Sequence, residues 1–288
     1  AVLSKPLFSK GSKEPLDIAG SILLITSIST LVVFMSRFPQ WGGLSLESAA
    51  LMITCFFSSL ALAINESRLK YPLFDMSLLR IRLFIFPLIS SAVLFAGLFI
   101  IIFMMPFYLT YPCSFSASKT GMIMIVPFLF LLFVSPLAGM LYDRLASRRL
   151  CIAGMGALAA SHFSLFFLDP SMGALSVVWR IGLAGLGTAL FVSPNNTAIM
   201  SAAPLHRRGI ASGAVATSRN LGMVFGVALA GLVFSTSFSS FTEGSVLENY
   251  TDGMMPYFMI SFKRTMVVGM ILSVIGMGIT FLRGKEKL

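Results

Sequence analysis

The stretch GMLYDRLASRRL, residues 139–150, separates two strongly apolar parts of the sequence. It carries Asp143, Arg144, Arg148 and Arg149, whereas the chain on each side continues almost without charge for the length of a membrane-crossing helix. Such a helix needs about 20 apolar residues to cross a hydrocarbon core of about 30 Å. The stretch therefore predicts a short polar connection between two membrane-spanning helices.

The composition of the whole chain is typical of a membrane protein. Of 288 residues, 57% are hydrophobic and 11% are charged, and the mean hydropathy is +0.91. A soluble domain carries about 25% charged residues. None of the apolar segments alternates with a period of two residues, as the strands of a membrane barrel do. The sequence predicts an all-α polytopic membrane protein with eight transmembrane helices, at residues 16–36, 48–64, 83–109, 119–141, 150–168, 174–200, 210–236 and 265–282.

The basic residues are distributed unevenly between the connections. If the chain starts in the cytoplasm and the eight spans alternate, most of the 21 Lys and Arg residues fall on the cytoplasmic side. The opposite side holds Arg37, Lys119, Lys263 and Arg264. By the positive-inside rule, this bias predicts a multi-pass protein of the plasma (inner) membrane with both termini of this chain in the cytoplasm. The net charge of +10 then faces anionic lipid, and no nucleic-acid partner is expected.

Several classes of function lack their characteristic residues in this sequence. Cys55, Cys113 and Cys151 form no CxxC pair and no cluster with histidine, so no metal site is expected. The sequence contains no phosphate-binding GxxxxGK[ST] loop and no recognisable catalytic triad. We therefore expect neither an enzyme nor an ATP-driven pump, and no cofactor.

The loop at residues 139–149 resembles a loop signature of the major facilitator superfamily, roughly G-x-L-x-D-R-x-G-R-R. Ala146 and Ser147 depart from it in the way typical of the weaker copy in the second half of such transporters. In that family the loop is a latch on the gate side of the helices. The resemblance implies a gating role for Gly139, Asp143, Arg144, Arg148 and Arg149. From the charges alone, a simple topology anchor is the alternative.

Three further stretches are similar to the fourteen-helix drug:proton antiporters of that superfamily. Residues 71–84 resemble the linker before their second six-helix domain. Residues 195–231 carry their R-G-x-A-S-G and R-N-x-G-x-x-x-G elements. Residues 104–127 match their P-x-Y-L … G-x-x-x-x-x-P pattern at Pro106, Tyr108, Leu109, Gly121 and Pro127. The likeness covers nearly the whole chain, but it corresponds to the second half of such a transporter.

The resemblance also implies a domain organisation. It gives a cytoplasmic linker at residues 1–15, an extra helix pair at 16–64, a second linker at 65–82, a C-terminal six-helix domain at 83–282 and a tail at 283–288. The six-helix domain is expected to consist of two inverted three-helix repeats. The chain opens on Ala1 and a basic, loop-like stretch, so we expect it to begin partway through a longer protein. Its partner would be the missing N-terminal six-helix domain.

Arg219 is the first candidate for a substrate cavity. It lies too deep in its span to reach a membrane surface, and a deep arginine is costly unless it is paired or hydrated. We therefore expect it to face the interior of the bundle, with Asn195, Asn196 and Asn220 sharing its polar lining. Bonding between helices alone is the other interpretation.

A second group of candidates lies nearer the predicted outer surface. Arg180 follows Trp179, and both a snorkelling arginine and a cavity-facing cation are open for it. Met104, Met105 and Tyr108 lie beside a helix-breaking proline, and Met suits adaptable binding surfaces. A simple kink in the helix is the alternative for this segment.

The positions of the acidic residues bear on whether this chain could carry protons across the membrane. All 11 Asp and Glu residues lie in loops or at the edges of spans, whereas a proton relay in lipid needs an ionisable group that faces the interior. For His162 a hydrogen bond between helices is favoured over a relay. The resemblance therefore implies the C-terminal half of an alternating-access, proton-coupled exporter of small hydrophobic or cationic drugs, whose coupling residue lies elsewhere. Two alternatives stay open: an exporter of one defined metabolite, and a non-transporting scaffold or sensor module.

Overall fold

Long helices occupy all of the predicted spans. The computed structural model describes residues 17–41, 45–68, 78, 80–142, 146–242, 247 and 250–284. Short 3-10 turns precede the last three long helices, at Pro170–Met172, Leu205–Arg207 and Asp252–Met254. The α-helices are α1 (Ile18–Trp41), α2 (Leu46–Arg68), α3 (Arg82–Thr110), α4 (Ala117–Met124), α5 (Val126–Tyr142), α6 (Ser147–Phe166), α7 (Gly173–Ala202), α8 (Arg208–Phe241) and α9 (Met255–Leu282).

Within these residues, seven helical segments are long and apolar enough to cross a membrane. α4 and α5 together form one of them, Ala117–Leu141. The apolar run of α1 that the structure describes, Ile18–Leu31, is shorter. The all-helical polytopic fold is therefore confirmed. The eighth span, and the division into an extra helix pair and a six-helix domain, stay predictions.

The last two helices are longer than the sequence predicts. α8 continues to Phe241, beyond the predicted end at residue 236, and α9 begins at Met255 rather than at residue 265. The predicted connection at residues 237–264 is therefore largely helical. Tyr257, Phe258 and Phe262 in this segment suggest either a piece that lies at the membrane interface or an early start of the last helix, and the structure shows the early start. The Arg264 guanidinium donates to the Ser237 hydroxyl at 3.1 Å and lies over the Phe241 ring. The positive charge of Arg264 on α9 is thus stabilised by contacts with α8.

α3 lies at the centre of the packing. It has the highest mean hydropathy of the candidate spans, 2.6, and 67% of its most apolar part is buried. It packs against α7, α8 and α9, while α6 packs against α7 and α9. One hydrophobic core joins these helices. Burial of apolar side chains between these helices therefore holds this part of the bundle together.

α3 and α8 run parallel and touch through their backbones. A Cβ atom added to Gly222 would collide with the carbonyl oxygen of Ala92, and one added to Gly226 would collide with that of Ala96. Ser218, one turn earlier, donates from its hydroxyl to the Leu88 carbonyl at 2.5 Å. Small residues at one-turn spacing let helices approach closely in a membrane. The glycines of the R-N-x-G-x-x-x-G element thus fix the α3–α8 contact.

α1 and α2 form a pair beside this core. The Ser27 and Ser59 hydroxyls are 2.6 Å apart, and the Asn65 side-chain amide donates to the Asp17 carboxylate at 3.0 Å. α1 also contacts α8. Two polar bonds thus join these two helices along their length.

Candidate functional site

A cleft of about 190 Å³ opens between α3, α5, α7 and α8. Its walls are mainly apolar and aromatic, and one cationic side chain and one hydroxyl provide the polar groups. The lining residues are Phe95, Leu98, Phe99, Pro127, Phe128, Leu131, Gly185, Thr188, Val192, Arg219 and Met223. Ligand sites in proteins commonly combine apolar walls with a few placed polar groups. This cleft is the candidate site.

The register of α8 places Arg219 in the cleft. Ser218 and Gly222 both face α3, and successive residues of a helix are rotated by about 100°. Arg219 is therefore turned away from the α3 contact and towards the open side, where its side chain is exposed. The guanidinium carbon lies 5.9 Å from the centre of the Phe95 ring, a distance at which cation–π attraction acts.

A close helix crossing forms the opposite wall. A Cβ atom on Gly185 of α7 would lie 2.6 Å from both the Cα and the carbonyl oxygen of Pro127 on α5. The absence of a side chain at Gly185 therefore lets α5 and α7 meet at backbone distance. Thr188, one turn further, is buried and donates from its hydroxyl to the Ala184 carbonyl at 2.8 Å.

The asparagines are not gathered around Arg219. Asn195 is fully buried, and its side-chain amide donates to the Pro87 carbonyl of α3 at 3.0 Å. Asn196 is half-buried. Asn220 is exposed and lines a separate cleft of about 120 Å³ against Ile28 of α1. The structure thus places one asparagine between α3 and α7 and another towards α1, on a different side of α8 from Arg219.

Arg180 lies between the end of α6 and the start of α7. Its side chain is 8% exposed. The guanidinium donates to the Ser164 carbonyl at 2.9 Å and to the Ser176 carbonyl at 2.7 Å, and its carbon lies 4.4 Å from the Trp179 ring centre. In return the Ser161 hydroxyl donates to the Arg180 carbonyl at 2.7 Å. Arg180 therefore joins two helices through its hydrogen bonds, apart from the Arg219 cleft.

Met104, Met105 and Tyr108 lie inside the helix bundle. Their side chains are 1%, 0% and 1% exposed, and all three belong to the main hydrophobic core. The Tyr108 ring centre is 5.0 Å from that of Phe262 on α9. The structure places this group in packed interior and not among the residues that line the cleft. A role in substrate binding stays a prediction for them.

The predicted gating loop is described in part. Asp143 and Arg144 lie outside the described residues. Gly139 faces Ser193 of α7, whose hydroxyl would be 3.2 Å from an added Cβ atom. The guanidinium carbon of Arg148 lies 4.3 Å from the ring centre of Phe281 on α9. Arg149 is exposed. The predicted loop is thus shorter than expected, because Gly139 belongs to α5 and both Arg148 and Arg149 belong to α6.

Sequence reasoning missed Arg283, which it assigned to the tail. The side chain is 0% exposed and lies between α6 and the end of α9. Its guanidinium donates to the Ser147 hydroxyl and, at 3.5 Å, to the sulfur of Cys151. An arginine directly after an apolar helix normally marks a membrane surface, so the sequence contained no signal for burial.

His162 is also fully buried. Its Nδ1 lies 3.0 Å from the Leu158 carbonyl and 3.4 Å from the Ser273 hydroxyl of α9. Gly269 lies directly against the imidazole ring and leaves the space for it. These contacts match the expected hydrogen bond between helices.

Comparison with known proteins gives consistent matches. A family model described as Major Facilitator Superfamily matches residues 87–242. An uncharacterized transporter of Escherichia coli (strain K12), YebQ, is 32% identical over 230 residues, which cover 80% of this chain and 50% of YebQ. Multidrug resistance protein Stp of Mycobacterium tuberculosis (strain ATCC 25618 / H37Rv) is 29% identical over 228 residues, or 79% of this chain and 42% of Stp. Multidrug transporter protein MdtP of Bacillus subtilis (strain 168) is 26% identical over 247 residues, or 84% and 43%.

The chain spans about half the length of these relatives. The matched family model contains most of α3 and all of α4 to α8, and therefore the whole lining of the Arg219 cleft. The three relatives are named as an uncharacterized transporter, a multidrug resistance protein and a multidrug transporter protein. Since the family model covers more than half of the 288 residues, this chain belongs to the Major Facilitator Superfamily.

Proposed function

We propose that this chain is the C-terminal half of a proton-coupled multidrug exporter that works by alternating access. The observation that carries the proposal is the Arg219 cleft, which faces an open side of the helix bundle. Alternating access requires a site between two units that rock against each other. An open cleft on one face supports the view that a second six-helix unit covers it and completes the site.

The size of the cleft supports a shared site. Pockets that enclose a drug-sized ligand are typically about 300–1,000 Å³, whereas this cleft has about 190 Å³. Its walls suit small hydrophobic compounds, and the family resemblance adds cationic drugs. The lining includes no carboxylate, which supports a coupling residue in the other half.

Transport by reconstituted protein tests the proposal. We expect full-length protein in proteoliposomes to move the uncharged dye Nile red when a pH gradient is imposed, and to stop when a protonophore collapses the gradient. Residues 1–288 alone should fail to transport, because a single half has no partner against which to rock. Nile red movement that ignores the protonophore would exclude proton coupling. Absence of any dye transport by folded full-length protein would favour the metabolite exporter or the non-transporting module.

A further inference from the structure

The Arg219 cleft contains a charge of one sign. Among its lining residues, Arg219 carries the only formal charge, and Thr188 is the only other side chain with a hydrogen-bonding group. The Thr188 hydroxyl already donates to the Ala184 carbonyl. Arg219 is exposed and lines the cleft, and its guanidinium carbon lies 5.9 Å from the centre of the Phe95 ring. Its charge is therefore within reach of a molecule that enters the cleft.

The Arg219 guanidinium lies among apolar and aromatic walls. A charge beside such walls interacts more strongly than one in bulk water, because these surroundings are less polarisable. It attracts an anion and repels a cation of the same size. The planar guanidinium also matches carboxylate or sulfonate oxygens in a paired hydrogen-bond geometry.

We propose that this cleft selects small amphipathic organic anions, with the aromatic or aliphatic part against Phe95, Phe99 and Phe128 and the carboxylate or sulfonate on Arg219. This inference rests on the proposed function, since it assigns a substrate class to the same site. It departs from the cationic drugs that the family resemblance implies. The aromatic walls accept the apolar part of either class, and the arginine discriminates between them.

Binding of a matched pair of probes tests the inference. Naphthalene-2-sulfonate and 2-naphthyltrimethylammonium share one ring system and carry opposite charges. Both are titrated against full-length protein in phosphatidylcholine nanodiscs, where the lipid has no net charge. We expect the sulfonate to bind about tenfold more tightly than the ammonium. Arg219→Gln should weaken sulfonate binding about tenfold and leave ammonium binding equal or stronger.

Two further variants make the result specific. Arg264→Gln removes the same charge from an exposed arginine that also lies over a phenylalanine ring but is outside the cleft, and it should leave both affinities unchanged. Arg219→Lys keeps the charge and loses the planar donors, so it should retain the preference for the anion with a several-fold lower affinity. If Arg219→Gln fails to fold, the Arg219→Lys protein still shows whether a cation at this position gives the preference for the sulfonate.

The outcomes separate this inference from the proposed function. An Arg219→Gln protein with the wild-type ratio of affinities would overturn the inference, and so would an equal loss in Arg264→Gln. If Arg219→Gln does not fold, an Arg219→Lys protein without preference for the sulfonate would overturn it. Selective binding by a protein that moves neither probe across a membrane would overturn the exporter and leave the anion site intact.

Discussion

Arg219 and Arg283 show how one residue type takes different roles according to its contacts. Arg219 is exposed in an apolar cleft, whereas Arg283 is fully buried beside Ser147 and Cys151. A buried cation needs hydrogen-bond partners, because burial removes its hydration and an unpaired buried charge bears the full cost of that loss. Arg283 therefore acts as a link between the start of α6 and the end of α9.

Substitution of Arg283 tests this link. We expect Arg283→Ala to lower the free energy of unfolding by about 1–3 kcal/mol, because hydrogen bonds to a charged group are lost. Arg149→Ala removes an exposed arginine from the start of α6, the helix end that Arg283 contacts. It should change the free energy of unfolding by less than about 0.5 kcal/mol. Thermal unfolding in detergent compares the two. Equal melting temperatures for both variants would mean that the Arg283 contacts contribute no stability.

At the scale of helices, the closest contacts are made by glycine. Gly222 and Gly226 hold α8 against the α3 backbone, and Gly185 holds α7 against α5. Two walls of the cleft are therefore positioned by backbone contact rather than by interlocking side chains. The geometry of the site therefore depends in part on Gly222 and Gly226, which are not among the residues that line the cleft.

A pair of glycines in α8 provides a controlled test. Gly226→Ala adds a methyl group that collides with the Ala96 carbonyl, whereas an added Cβ atom at Gly213 meets nothing within 4 Å. We expect Gly226→Ala to destabilise the protein by about 1–3 kcal/mol through overpacking. Gly213→Ala should be neutral or stabilise the protein by up to about 1 kcal/mol, since Ala favours helix. If both variants melt alike, the α3–α8 contact is looser than the structure indicates.

Much of this arrangement was predictable from the sequence, for a physical reason. The cost of placing charges and free backbone groups in hydrocarbon requires long apolar helices, so their number and approximate limits follow from composition. The early start of α9 was one of two interpretations of its aromatic residues, and the choice between them depends on another helix, because Ser237 and Phe241 of α8 contact Arg264. The burial of Arg283 and the separation of Asn220 from Arg219 also depend on which helices become neighbours. The position of Arg219 within its span made it a candidate, whereas the cleft around it depends on where α5 and α7 lie.

At the scale of the whole molecule, orientation in the membrane determines what the cleft can do. The positive-inside bias predicts that the loop at residues 143–145 and both termini are cytoplasmic. The end of α6 that begins at Ser147 would then lie inside, and the start of α4 would lie outside. Arg149 and Lys119 are exposed residues near these two ends.

Cysteine labelling in intact cells tests this orientation. With Cys55, Cys113 and Cys151 replaced by serine, a membrane-impermeant maleimide should label Lys119→Cys and should fail to label Arg149→Cys until the cells are opened. The charged reagent reaches only groups that face the medium. Labelling of Arg149→Cys in intact cells, with Lys119→Cys protected, would reverse the proposed topology.

The backbone contact between α3 and α8 has a mechanical consequence. Where two helices are separated by interdigitated side chains, a change of rotamers lets one slide past the other. At Gly222 and Gly226 no side chain lies between α8 and the Ala92 and Ala96 carbonyls, so there is nothing to rearrange. Between Pro87 and Pro106 of α3, we therefore expect the pair to move as one rigid unit that carries Phe95 and Arg219 together. A change in the width of the cleft is then expected at the opposite wall, where Pro136 interrupts the backbone hydrogen bonding of α5 and Pro194 that of α7.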